Sequence, residues 1–235
     1  MNFAIVILTY KRKDGRTPFY LKRALESVFN QTYNNFKIFL IGDKYEDNDE
    51  FLSIIKSFDN KKIYYENLPF AKERDKYSDK WVIWSYAGTY ASNYGINKAV
   101  SEGFDYVCHL DHDDWWLPNH LDEINKCIKS TNADWVCTKS TYKSTNIFLP
   151  RIVNNEEYQE FLPRSSSLIH SSVCINFKKI PLRYRNIFEE TGEIGLPGDA
   201  ELWERMRPYI IENNLKSFHI NKLTCRHDEE GYERK

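Results

Sequence analysis

With 235 residues, 41% of them hydrophobic and 29% charged, the chain is long enough to bury a core without disulfide staples and too apolar to be disordered throughout. Lysine and arginine number 33 against 34 aspartates and glutamates, so the net charge of −1 lacks the basic surplus of a nucleic-acid binder. Aromatic residues reach 15%, which suits either a thick core or a site that stacks rings and sugars.

Phe3 to Leu8 is a continuous apolar run rich in β-branched residues, the pattern of a parallel strand buried on both faces. The polar loop Lys11 to Pro18 follows. Leu21, Ala24, Leu25, Val28 and Phe29 then recur at helical spacing. Phe36 to Ile41 reads as a second strand, Leu52 to Phe58 as a second helix and Ile63 to Tyr65 as a short third strand. This β-α-β-α-β order predicts an open α/β sheet. A helix is expected from Trp81 to Ser101, a fourth strand over Tyr106 to Leu110, a helix with Pro118 in its first turn running through Leu121, Ile124 and Ile128, and a fifth strand over Trp135 to Thr138. The second half is less regular. Leu168 to Ile175 and Lys216 to Thr224 suit strands, Asp199 to Ile211 suits a helix, and a polar tail runs from Asp228 to Lys235. We expect one domain over 1–235, with a nucleotide-binding half to about residue 115 and a less regular half from about 116.

The five cysteines are odd in number and show no C-x-x-C spacing, which predicts buried, reduced thiols. The N-terminal apolar run is too short for a signal peptide, and nothing approaches the ~20 apolar residues of a membrane span. The expectation is a soluble, cytoplasmic protein.

The strongest chemical feature is Leu110-Asp111-His112-Asp113-Asp114. Carboxylates converging in a folded site repel, and a hard divalent cation such as Mn²⁺ or Mg²⁺ relieves this. The cluster follows a predicted strand directly, where ligands bind in open α/β sheets. The bland alternative is a solvated acidic turn capping the next helix. His112-Asp113 also matches the pair of a metal phosphohydrolase, but that fold carries its pair on a helix. His109 lies within the strand and suits a packed side chain.

Four segments in order resemble family 2 glycosyltransferases of the GT-A fold. Ile5 to Arg12 is similar to the family's first strand and turn. Leu25 to Phe36, with Gln31-Thr32-Tyr33, is similar to its first helix and link. Ala91-Ser92-Asn93-Tyr94-Gly95-Ile96 and Leu110 to Asp114 resemble its later motifs. More faintly, Gly195 to Arg205 resembles the segment that carries the general base. The fold implied is a Rossmann-like, mostly parallel twisted sheet flanked by helices. The activity implied is transfer of a sugar from a nucleotide-diphosphate donor, UDP- or dTDP-linked, to a glycan or other hydroxyl acceptor with inversion, using Mn²⁺ or Mg²⁺.

By position, the resemblance puts Thr9 and Tyr10 at the nucleotide, Asp43 on the base, Arg74 and Asn93 on the donor, and Asp111 near the ribose. It puts Asp113 on the metal and His227 on the metal or diphosphate. Asp199 becomes the catalytic base, with Glu201 the neighbouring alternative and His170 in the acceptor wall. Gly42, Ser92 and Gly198 depart from the family pattern, which has Asp, Arg and Glu there. Trp115 and Trp116 could stack on a sugar or anchor their loop. Rival readings are a sugar-nucleotidyltransferase, which would want a glycine-rich loop after strand one, and a non-catalytic sugar-nucleotide or glycan-binding domain.

Overall fold

Alternate side chains of the first strand point to opposite faces, and both faces are covered. Phe3, Ile5 and Ile7 join one apolar cluster and Ala4 and Val6 another. The computed structural model describes residues 1–142, 147–151 and 155–227. Its elements in chain order are β1 (Phe3–Thr9), α1 (Thr17–Phe29), β2 (Phe36–Gly42), α2 (Asn48–Lys56), β3 (Ile63–Asn67), α3 (Lys72–Lys76), α4 (Lys80–Tyr86), α5 (Thr89–Ser101), β4 (Tyr106–Asp111), β5 (Trp115–Trp116), α6 (His120–Thr131), β6 (Trp135–Tyr142), β7 (Ile147–Leu149), β8 (Tyr158–Glu160), β9 (Val173–Asn176), α7 (Ile187–Thr191), α8 (Gly198–Glu212) and β10 (Ser217–Arg226).

The strands form one sheet in the order β3-β2-β1-β4-β9-β6-β10-β5, with β7 beside β6 and β8 beside β10. From β3 to β4 every pairing is parallel, as is β6 with β10. The strand β9 runs against both of its neighbours, β4 and β6. Helices α1, α2 and α6 pack on the face of Phe3, Ile5 and Ile7, through Leu21, Phe51 and Ile124 among others. Helices α5 and α8 cover the opposite face through Ile96, Ala99, Leu202 and Trp203. This is the expected α/β arrangement.

Three local expectations change. The helix expected from Trp81 to Ser101 is two helices, because Gly88 takes φ +85°, a conformation closed to most residues, and serves as the N-cap of α5. The strand expected over Leu168 to Ile175 shrinks to β9, preceded by a 3₁₀ turn at His170–Ser172 in which Ser172 Oγ donates to the Ile169 carbonyl at 2.7 Å. The short elements β5, β7, β8, α3 and α7 have no apolar periodicity long enough to announce them. The polar tail from Asp228 lies outside the described residues. All five cysteines are buried as free thiols, and no helix among the described residues is long and apolar enough to cross a membrane.

Candidate active site

The register of the parallel strands gathers the polar ends of three of them. Thr9 lies beside Gly42, and Leu8 beside Asp111, so Thr9, Asp43 and Asp111 emerge at the carboxyl edge of the sheet. Among the described residues, Thr9 Oγ1 and Asp43 Oδ1 are buried there without a hydrogen-bond partner.

Arg74 reaches Asp43 because its neighbours pin α3. Glu73, buried, accepts from Thr89 Oγ1 at 2.8 Å and from the Tyr90 N–H at 3.1 Å. Asp75 pairs with Lys44 at 2.7 Å. The intervening Arg74 donates from Nε to Asp43 Oδ2 at 3.1 Å, and its Nη2 donates to the Asp43 carbonyl. Its guanidinium lies 4.9 Å from the centre of the Tyr10 ring. Burial pushes the Asp43 carboxyl above its ordinary pKa, and Arg74 opposes that rise. Tyr10, Asp43 and Arg74 thus form one cluster.

The Asp111–Asp114 segment is a tight turn closed by the Asp114 N–H donating to the Asp111 carbonyl at 3.0 Å. Trp116 anchors its far end. Its indole is buried, donates to the Ser171 carbonyl at 2.7 Å and stacks on His120. Trp115 lies under the Arg23 guanidinium at 4.0 Å. Both tryptophans therefore anchor the loop.

Within the turn, the three carboxylates have different partners. Asp111 Oδ1 lies 3.0 Å from His170 Nδ1. Burial alone would raise the Asp111 carboxyl, but His170, and then His227 and His112, hold it below its ordinary value. Asp113 is 3.8 Å from Arg12 Nη1, yet burial, and then Asp114 and Asp111, push its carboxyl up to about 7. Asp114 is fully buried and lies 3.0 Å from His227 Nδ1. Burial works against a charged His227 ring, but the hydrogen bond and the surrounding aspartates outweigh it and raise the ring to about 9.

His170 extends the chain of contacts, since its Nε2 lies 2.6 Å from the Tyr184 hydroxyl. Asn93 spends its amide on the main chain of Tyr184, donating to its carbonyl and accepting from its N–H. His109 is packed, buried against His170 and Phe177, and burial holds its ring well below the ordinary value.

A cleft of about 810 Å³ opens over these groups, lined by Asp111, His170, Tyr184, Asp199 and His227 among others. Asp199 stands in the first turn of α8, its Oδ1 accepting from the Ala200 N–H at 2.8 Å. Glu201 is bound elsewhere, to Arg205 at 2.6 Å. Among the described residues no three His, Cys, Asp or Glu side chains converge closely enough to enclose an ion. Asp113 nevertheless offers a hard carboxylate oxygen crowded by Asp114 and Asp111. It fits the type of site in which one carboxylate and substrate phosphates share a Mg²⁺-like ion. Asp114 carries no signal of its own within the acidic motif, and Tyr184 sits in an element-free segment with no pattern to mark it.

Residues 4–194 match the Glycosyl transferase family 2 profile. The chain belongs to that family. It is 42% identical over 238 residues to the uncharacterized glycosyltransferase R139 of Acanthamoeba polyphaga mimivirus, covering 98% of this chain and 95% of that one. Residues 1–349 of S. aureus TarS, solved in complex with UDP-GlcNAc, superpose with a TM-score of 0.69 at 16% identity over 99% of this chain. The chain spans 60% of that TarS chain. The mannosyltransferase PcManGT from Pyrobaculum calidifontis, in complex with GDP-Man and Mn²⁺, superposes with a TM-score of 0.59 at 10% identity, covering 98% of this chain and 58% of its own. The chain is a glycosyltransferase with the GT-A fold.

Proposed function

We propose that this glycosyltransferase moves a sugar from a UDP or dTDP donor to a glycan or other acceptor hydroxyl, inverting the anomeric centre. The observation that carries the reading is that one cleft holds Asp111, at the end of a parallel strand, and Asp199, at the start of α8. The donor side supplies binding. The unpartnered Asp43 Oδ1 suits the N3–H of uracil or thymine, and Tyr10 beside Arg74 offers the base a ring to lie against. Asp111 approaches the ribose. His227, its Nδ1 held 3.0 Å from Asp114, would face the metal or the diphosphate. Asp113 would hold a divalent cation, which when bound offsets charge on the departing diphosphate.

On the acceptor side, Asp199 takes the proton from the attacking hydroxyl. The hydroxyl oxygen bonds to the anomeric carbon as the bond to the diphosphate oxygen breaks on the opposite face. The nucleoside diphosphate leaves with that electron pair.

Calorimetric titration of UDP, dTDP and GDP, each with Mn²⁺ and with EDTA, tests the donor assignment. UDP and dTDP should bind more tightly than GDP, and EDTA or Asp113→Ala should weaken both. Asp43→Ala should weaken UDP by about 10- to 100-fold, the worth of a hydrogen bond to a charged group. A preference for GDP overturns the base assignment. Equal UDP affinity with and without metal overturns the role of Asp113.

A further inference from the structure

Helix α4 turns two indoles into solvent, Trp81 at 67% exposure and Trp84 at 51%. Val82, Ser85 and Tyr86 are its buried residues, and Asp79 Oδ1 caps it by accepting from the N–H groups of Trp81 and Val82 at 2.8 and 3.1 Å. The two rings meet edge to face, with centroids 6.3 Å apart and planes at 82°. Large apolar side chains left exposed together at a cleft mark a place where something binds.

Trp84 lines the same cleft as Asp199, and two contacts fix their relation. The Gly195 N–H donates to the Tyr86 hydroxyl at 2.9 Å, tying α4 to the segment that leads into α8. Gly198 lies so close to α5 that a Cβ on it would sit 2.7 Å from Thr89 Cγ2. The residue before Asp199 is therefore seated directly against the α4–α5 corner.

We propose that Trp84, braced by Trp81, is the platform on which the sugar ring of a carbohydrate acceptor stacks, so that a ring hydroxyl faces Asp199. The inference rests on the reading of Asp199 as the base. The occupant follows from the mixture of surfaces. A pyranose has an apolar C–H face bounded by hydroxyls. The cleft matches it with an indole face and, elsewhere in its lining, the polar side chains of Ser85, Ser165 and Arg151. A lipid chain would want an unbroken apolar trough, which this hydroxyl-bearing wall interrupts.

Intrinsic tryptophan fluorescence provides the test, with and without saturating UDP. The probes are methyl glucoside, galactoside, mannoside and N-acetylglucosaminide, with decyl phosphate as the lipid-like control. At least one pyranoside should shift the emission saturably. Read by calorimetry, Trp84→Ala should weaken binding of that pyranoside by about 3- to 10-fold and Trp84→Phe should restore part of it, as stacking on an aromatic face requires. UDP affinity and the melting temperature should be the same in all three proteins. A response to decyl phosphate alone, a pyranoside affinity unchanged in Trp84→Ala, or no response with any pyranoside overturns the platform. If UDP binds as predicted while the saccharide affinity ignores Trp84, only the platform falls. Failure of the wild-type protein to bind UDP removes the transfer reading beneath it.

Discussion

Asn93 and Tyr184, 91 positions apart, exchange two hydrogen bonds of 2.9 Å. The Asn93 amide donates to the Tyr184 carbonyl, and the Tyr184 N–H donates back to Asn93 Oδ1. This pair fastens the segment before α7 onto α5 and aims the Tyr184 hydroxyl at His170. Asn93→Ala should cost about 1–3 kcal/mol, two net hydrogen bonds, read as a lower urea midpoint at unchanged slope. Wild-type stability in the variant would show the clasp to be idle.

Asp199→Asn should lower turnover with a working acceptor by about 10²–10⁴-fold, the usual worth of general-base assistance. UDP affinity should hold. The amide keeps an oxygen to accept from the Ala200 N–H, the bond Asp199 makes now, so the start of α8 should survive. Turnover within about threefold of wild type would contradict the assignment. Glu201→Gln is the companion variant. Because Glu201 is engaged by Arg205, its effect should fall on stability before chemistry.

Gly42→Ala should destabilise by about 1–3 kcal/mol, the range for overpacking. The new Cβ would sit 2.5 Å from Asn67 Oδ1. That amide cannot swing aside freely, since it accepts from the Tyr45 N–H at 2.8 Å and donates to the Tyr45 carbonyl at 2.9 Å. In an Asn67→Ala background the penalty should shrink, and equal penalties in the two backgrounds would refute the clash.

Folding stability should fall as pH drops from about 6.5 toward 3. His120 is fully buried, stacked on Trp116 and held by Thr224, and burial lowers its ring from 6.5 to about 3. In that window the unfolded chain binds a proton that the folded chain refuses, so acid favours unfolding at up to about 1.4 kcal/mol per pH unit. Replacing His120 with Asn, which cannot charge, should remove one proton of slope from denaturation curves taken across this range. An unchanged slope would place His120 in water.

The elements that were legible in the sequence are those whose burial is complete and local. Phe3 to Leu8 and Phe36 to Ile41 announce β1 and β2 because both faces are covered, which leaves an unbroken apolar run. Asp43, Asp111 and Asp199 could be placed because each sits where an element ends or begins. What stayed hidden is long in range. Asp114 meets His227 across 113 positions, and Arg74 meets Asp43 across 31. Neither contact leaves a periodic trace. The break at Gly88 is silent in the sequence because apolar residues stand on both sides of it. The serines after Leu168 leave no strand-breaking pattern, since it is their local hydrogen bonds that compete with strand pairing.

The five thiols, shut inside the sheet and beneath α6, give the molecule an internal gauge of its own integrity. A thiol-reactive dye added to native protein should find no accessible target, so the rate at which label accumulates measures how often the fold opens. The same silence makes any cysteine introduced on the surface a site that can be labelled alone. Placed on α4 or at the start of α8, such a label would report substrate binding in the cleft without background from the core.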